Sequence, residues 1–187
     1  MSTSDAEIQL EARNAGTVGR LIVAADAFLW MGFVFAYFYL RTLNSNGDFN
    51  PKGQNPSGTM GTISLVVALL AAGAIAGAAT RIKAGGGAAY RGPAAIALLL
   101  VVALTVLQGI QLFDPGFSPA NGGGFGAVFV GFTVAYFVHL FGVLYWLETL
   151  VVERGGPTVA RAGSFAIVWY FLVAVFAVFW LLFYVVA

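Results

Sequence analysis

Cysteine is absent from all 187 residues, and histidine occurs once. The first absence excludes thiolate metal sites, iron–sulfur clusters, covalently attached c-type haem and disulfides. The second leaves His139 without the companions that a haem pair or a copper centre requires. Charge is scarce as well: only 9% of residues are Asp, Glu, Lys or Arg, and the net charge is +1, which offers no electrostatic footprint for nucleic acid. No G-x-x-x-x-G-K-[ST] phosphate loop is present, and the serines and threonines lack a histidine and an acid at triad spacing. Gly85-Gly86-Gly87 reads as a flexible connector. These absences leave the chain without a plausible redox, metal or nucleophilic site of its own.

What is there is apolar. Hydrophobic residues make up 60% of the chain, and the mean hydropathy is +0.89, too apolar for a water-soluble domain. The polar stretch Met1 to Asn14 carries both signs of charge and does not read as a cleavable signal peptide. Five apolar runs follow, at roughly 17–43, 61–83, 93–114, 125–153 and 160–187. Each suffices for the ~20 residues that a helix needs to cross a ~30 Å hydrocarbon core, and open strands there would leave backbone groups unpaired. The expected fold is an all-α integral membrane protein, a single domain over 1–187 built as a bundle of five transmembrane helices. Pro93 suits a first helical turn, Gly122-Gly123-Gly124 precedes the fourth run, and Gly155-Gly156-Pro157 stops it.

Lysine and arginine are distributed unequally. Seven of them (Arg13, Arg20, Arg81, Lys83, Arg91, Arg154, Arg161) fall on the N-terminal side of a five-span topology, and Arg41 and Lys52 fall on the other. The positive-inside rule then places the N-terminus in the cytoplasm and the C-terminus outside, in the periplasm or cell exterior. Small residues suggest the helix contacts: Gly73-x-x-x-Gly77 in the second run, the stripe Ala127, Gly131, Ala135, His139 in the fourth, and Ala166, Tyr170, Ala174 in the fifth. On this pattern His139 and the Tyr170 hydroxyl face protein.

Asp26 lies about six residues past Arg20, or ~9 Å into the membrane at 1.5 Å per residue. An ionisable group at that depth is either a functional acid or a structural one paired within the bundle. Tyr170 and Glu148 lie at similar depth in the fifth and fourth runs. The expectation is a cluster in which Tyr170 donates to Asp26, with Arg20 or a water nearby. His139, nine residues deeper than Glu148, reads first as a packed histidine making an interhelical hydrogen bond, with a proton-relay role as the alternative.

The runs also carry a specific pattern. In the first is Ala25-Asp26-Ala27-Phe28, then Phe35-Ala36-Tyr37-Phe38; the third ends in Gln111-Leu112-Phe113-Asp114; the fourth has Tyr136-Phe137-Val138-His139-Leu140 with Gly142. The fifth has Val168-Trp169-Tyr170-Phe171-Leu172-Val173, with Tyr184 sixteen positions after Val168. In these stretches the chain resembles subunit III of the haem-copper terminal oxidases, in its shorter five-helix bacterial form. That family has a buried Glu at the Asp26 position, Gln-x-x-Glu where Gln111 and Asp114 stand, a histidine matching His139, and a Tyr-Trp-His-Phe-Val-Asp stretch in which Trp169 keeps its place. The family's other histidines and the fifth-helix acid are replaced here. The resemblance implies an accessory subunit in a bacterial cytoplasmic membrane that binds no cofactor itself. Haem and copper would lie in partner subunits, with subunit I as the main neighbour, subunit II and small subunits alongside, bound phospholipid, and a respiratory supercomplex as a further setting. It further implies support of proton uptake or oxygen access while O2 is reduced to water. Two other readings remain open: a similar partner of a quinol oxidase or nitric oxide reductase, and a stand-alone transporter. The transporter reading lacks an inverted repeat or a matching pair of broken helices.

Overall fold

A computed structural model describes residues 3–44, 47–152 and 158–186, with the side chains of 3–9, 11 and 12 excepted. Arg154, the Gly155-Gly156-Pro157 stop, and the ends expected at 153 and 187 lie outside the described residues. Five helices form: α1 (Thr3–Thr42), α2 (Gly58–Lys83), α3 (Arg91–Phe113), α4 (Gly123–Val152) and α5 (Val159–Leu181). All five are long and apolar enough to cross a membrane, and there is no strand among the described residues. This is the architecture of a multi-pass membrane protein.

The boundaries depart from expectation where polar residues continue a helix. α1 begins at Thr3 rather than near 17, because the stretch before Gly16 contains neither glycine nor proline and is rich in helix formers. α2 starts at Gly58, where the Ser57 side chain accepts a hydrogen bond from the Met60 N–H. A 3-10 turn at Gly87–Tyr90 leads into α3, with Pro93 in the first turn of that helix. Past Leu181, α5 widens into a π turn at Leu182–Val186.

The helices pack in the cyclic order α1, α5, α2, α3, α4, each against its two neighbours in the ring. The backbones of α4 and α5 meet only briefly across this ring, and aromatic side chains fill the space between them. Phe132 on α4 stacks on Phe179 of α5 with centroids 4.1 Å apart, Tyr136 lies 4.9 Å from Phe176, and Phe129 lies 5.1 Å from Phe183. Trp30 of α1 closes against Phe132 at 5.4 Å. Offset and edge-on pairs of this kind add stabilisation beyond the area they bury.

Two expected contacts are corrected. Gly73 is exposed and a Cβ there would meet nothing within 4 Å, whereas Gly77 is half-buried and faces Pro93 of α3, 3.8 Å from where its Cβ would stand. α2 instead buries Gly61, Ser64, Ala68, Ala71, Ile75 and Ala78, a three-and-four stripe of small residues lying one helix face away. In α5 the inward face carries Phe165, Trp169, Leu172, Phe176 and Phe179, so Tyr170 turns outward.

The loop segment at 47–57 folds back over the bundle. Its Phe49 is 6% exposed, sits edge-on to Tyr37 at 5.2 Å, and accepts the Phe125 N–H through its carbonyl at 2.8 Å. The start of α4 passes directly beneath. Gly123 has φ +59°, and a Cβ on it would overlap the Asp48 carbonyl oxygen, so this crossing requires glycine.

Candidate functional site

α1 buries an inward stripe at Gly19, Trp30 and Tyr37, with Ile22, Val23, Asp26, Phe33, Val34 and Leu40 half-buried between them. The spacing alternates threes and fours, so Asp26 belongs to the face that packs. α4 approaches this face through its small residues: a Cβ on Gly131 would press on the Phe33 ring at 3.0 Å. One and two turns further along α4 stand Ala135 and His139, both half-buried. Ala127, at the start of the same stripe, is exposed.

The small-residue contact brings His139 Nε2 to 3.4 Å from Asp26 Oδ1. The other ring nitrogen, Nδ1, lies 2.7 Å from the Ala135 carbonyl oxygen, and the Trp30 ring covers one face of the imidazole at 5.1 Å. The pair opens on one side into a cleft of about 310 Å³ between α1, α4 and α5. Ile22, Val138, Gly142, Val143, Trp146, Val168 and Leu172 complete its lining, and none of them titrates.

The expected partners of Asp26 are therefore corrected. His139 holds the carboxylate, not Tyr170, which is 42% exposed on the outer face of α5. Glu148 is exposed too and lines a separate surface pocket with Tyr145, Thr149, Val152 and Arg161. Three groups at one depth along their helices thus point in three directions. The interhelical hydrogen bond expected of His139 is present, and its partner is the acid.

A second polar group lies at the other end of the bundle. Gln108 Nε2 donates to Gln111 Oε1 at 2.9 Å, and Gln111 Nε2 donates to the Tyr184 hydroxyl at 3.1 Å. Both glutamines are buried, at 1% and 5% exposure. The Tyr184 ring lies over Gly61 of α2, where any Cβ would overlap it. Nearby, Trp180 Nε1 donates to Thr62 Oγ1 at 3.3 Å. Gln111 and Tyr184 were singled out in the sequence; Gln108 was not, although a glutamine three residues before another in an apolar run is a visible signal. Asp114 is exposed and ends α3, its N–H bonded to the Ile110 carbonyl. Trp169 is fully buried, and its indole N–H has no hydrogen-bond partner among the described residues.

Among the described residues, no three His, Asp or Glu side chains stand close enough to hold a metal ion. The chemistry available to the Asp26–His139 pair is that of hydrogen bonding and proton exchange. No protein-family model and no curated protein matches this chain.

Proposed function

We propose that this chain is an accessory, non-redox subunit of the subunit III type in a bacterial haem-copper oxidase, seated against the catalytic subunit. In this reading its N-terminus is cytoplasmic, and it stabilises a partner that holds haem and copper while that partner reduces O2 to water. The observation that carries the reading is the Asp26–His139 contact. These two positions lie 113 residues apart, both carry the resemblance, and they meet at membrane depth. The Gln111–Tyr184 hydrogen bond supports it in the same way, across 73 residues. Support for proton uptake or oxygen access would be exerted through the partner's surface, because an acid and a histidine without a redox group cannot reduce oxygen.

Purification of the tagged chain from its native membrane in mild detergent tests the proposal. Stoichiometric recovery with a haem-containing polytopic subunit and a copper-containing subunit II that oxidises cytochrome c is the expected result. A monodisperse chain without haem overturns it, as does recovery with a quinol-oxidising or nitric-oxide-reducing core. In the recovered oxidase, Asp26→Ala should speed the loss of activity during turnover while leaving the haem spectrum unchanged.

A further inference from the structure

The geometry around His139 bears on how many protons the pair holds. The Ala135 carbonyl can only accept a hydrogen bond, so Nδ1, 2.7 Å away, carries a hydrogen. A neutral imidazole has one N–H, which leaves Nε2 a bare lone pair facing Asp26 Oδ1 at 3.4 Å. An ionised carboxylate at that position also offers only lone pairs. Two acceptors cannot bond to each other, so a hydrogen bond across this gap requires one more hydrogen.

We propose that Asp26 and His139 form a membrane-embedded binding site for a single proton, held between His139 Nε2 and Asp26 Oδ1, with Nδ1–H anchored on Ala135. With the proton, the pair is neutral overall, whether as imidazolium and carboxylate or as imidazole and carboxylic acid. Without it, a net negative charge stands at membrane depth against a lone pair, which a low-dielectric setting penalises. Among the described residues, no other one lining the cleft, from α1, α4 or α5, titrates. Tyr136, one turn before His139, is fully buried and its hydroxyl makes no hydrogen bond. Arg20 and Glu148, the nearest charged residues along α1 and α4, are exposed outside the cleft. The cleft leaves 24% of the His139 side chain and 17% of the Asp26 side chain exposed, so the pair is sterically reachable from the bundle surface without the helices parting. This site stands on the geometry alone, whichever complex the chain joins.

Because His139 is the only histidine, ¹⁵N-histidine labelling of the full chain in lipid bilayers gives a single ring to read by NMR. Carboxyl-¹³C aspartate labelling marks Asp26 together with Asp5, Asp48 and Asp114, and the infrared difference between the wild-type and Asp26→Asn chains isolates the Asp26 carboxyl. Near neutral pH, the expected result is a protonated Nδ1 together with either a protonated Nε2 or a carboxylic-acid band from Asp26. Asp26→Asn should abolish whichever of these two signals is present and keep the Nδ1–H ring, since the asparagine amide still donates to Nε2. A neutral ring protonated at Nε2 overturns the proposal, and so does an Nδ1–H ring beside an ionised Asp26. If the Asp26→Asn chain does not fold, a chain carrying Asp5→Asn, Asp48→Asn and Asp114→Asn leaves Asp26 as the only labelled aspartate, and its ring and carboxyl signals decide by the same criteria.

Discussion

The two polar groups inside this bundle are built in opposite ways. Gln108, Gln111 and Tyr184 are neutral, pack against a glycine that accommodates the tyrosine ring, and enclose almost no free volume. Asp26 and His139 are ionisable and sit at the edge of a cleft of about 310 Å³. Neutral hydrogen bonds between well-packed helices fix geometry at little risk, because each amide is satisfied whatever the proton supply. An acid and an imidazole at membrane depth are satisfied only while they share a proton, and they lie where exchange is sterically open. The closed corner is suited to holding helices together, and the open one to changing state.

That contrast can be broken experimentally. The largest effect should come from Gly61→Ala: its Cβ overlaps the Tyr184 ring, and overpacking of this kind costs about 1–3 kcal/mol. Unfolding in detergent should show the loss, and a smaller residue at 184 should restore part of it; a neutral Gly61→Ala would mean the corner is not closed. Gln111→Leu comes next, since it removes both hydrogen bonds of the chain and should cost about 1–2 kcal/mol. The double change Gln108→Leu with Gln111→Leu should cost less than the sum of the single changes, because the partners are removed together. Asp26→Asn should shift stability by no more than about 0.6 kcal/mol, the average for an interhelical hydrogen bond in a membrane. A loss of several times that would move the open pair into the structural class and erase the contrast. Smallest of all is Tyr170→Phe, expected within about 0.5 kcal/mol and without effect on the His139 ring signals. If those signals moved as they do in Asp26→Asn, Tyr170 would reach the acid after all.

Tyr170 also marks where sequence reasoning stopped. Distances along each helix can be read from the charged residues that flank it, so the shared depth of Asp26, Glu148 and Tyr170 was legible. Direction around the helix was not. Neighbouring residues differ by about 100°, and that separates buried Trp169 from outward Tyr170. In a water-soluble protein polarity would tell the faces apart, but here the small stripe through Ala166 and Ala174 and the aromatic stripe through Phe165, Trp169, Phe176 and Phe179 are both apolar, and lipid accepts either. The same ambiguity couples outward Gly73 to Gly77, which does pack, against Pro93. The five helices were plain because a run of ~20 apolar residues has one solution in a bilayer. Their cyclic order, which sets α1 between α4 and α5, and the facing that turns His139 rather than Tyr170 toward the Asp26 carboxylate are tertiary properties that no single run encodes.

Tyr37 gives this arrangement a mechanical side. Its hydroxyl donates to the Leu182 carbonyl oxygen at 3.0 Å, where α5 loosens into its π turn. Tyr37 stands eleven residues beyond Asp26, which on an α-helix is ~16 Å along the axis and within about 20° of the same direction around it. α1 is thus pinned along one edge at two heights, by His139 of α4 below and by the backbone end of α5 above. A helix held so resists turning about its own axis, because any rotation strains both pins at once. If the lower pin slackens when its proton leaves, α1 stays tied to α5 at Tyr37 and at Ala15, whose carbonyl accepts from the Ser164 hydroxyl at 2.7 Å, and the edge that loosens is the one facing α4.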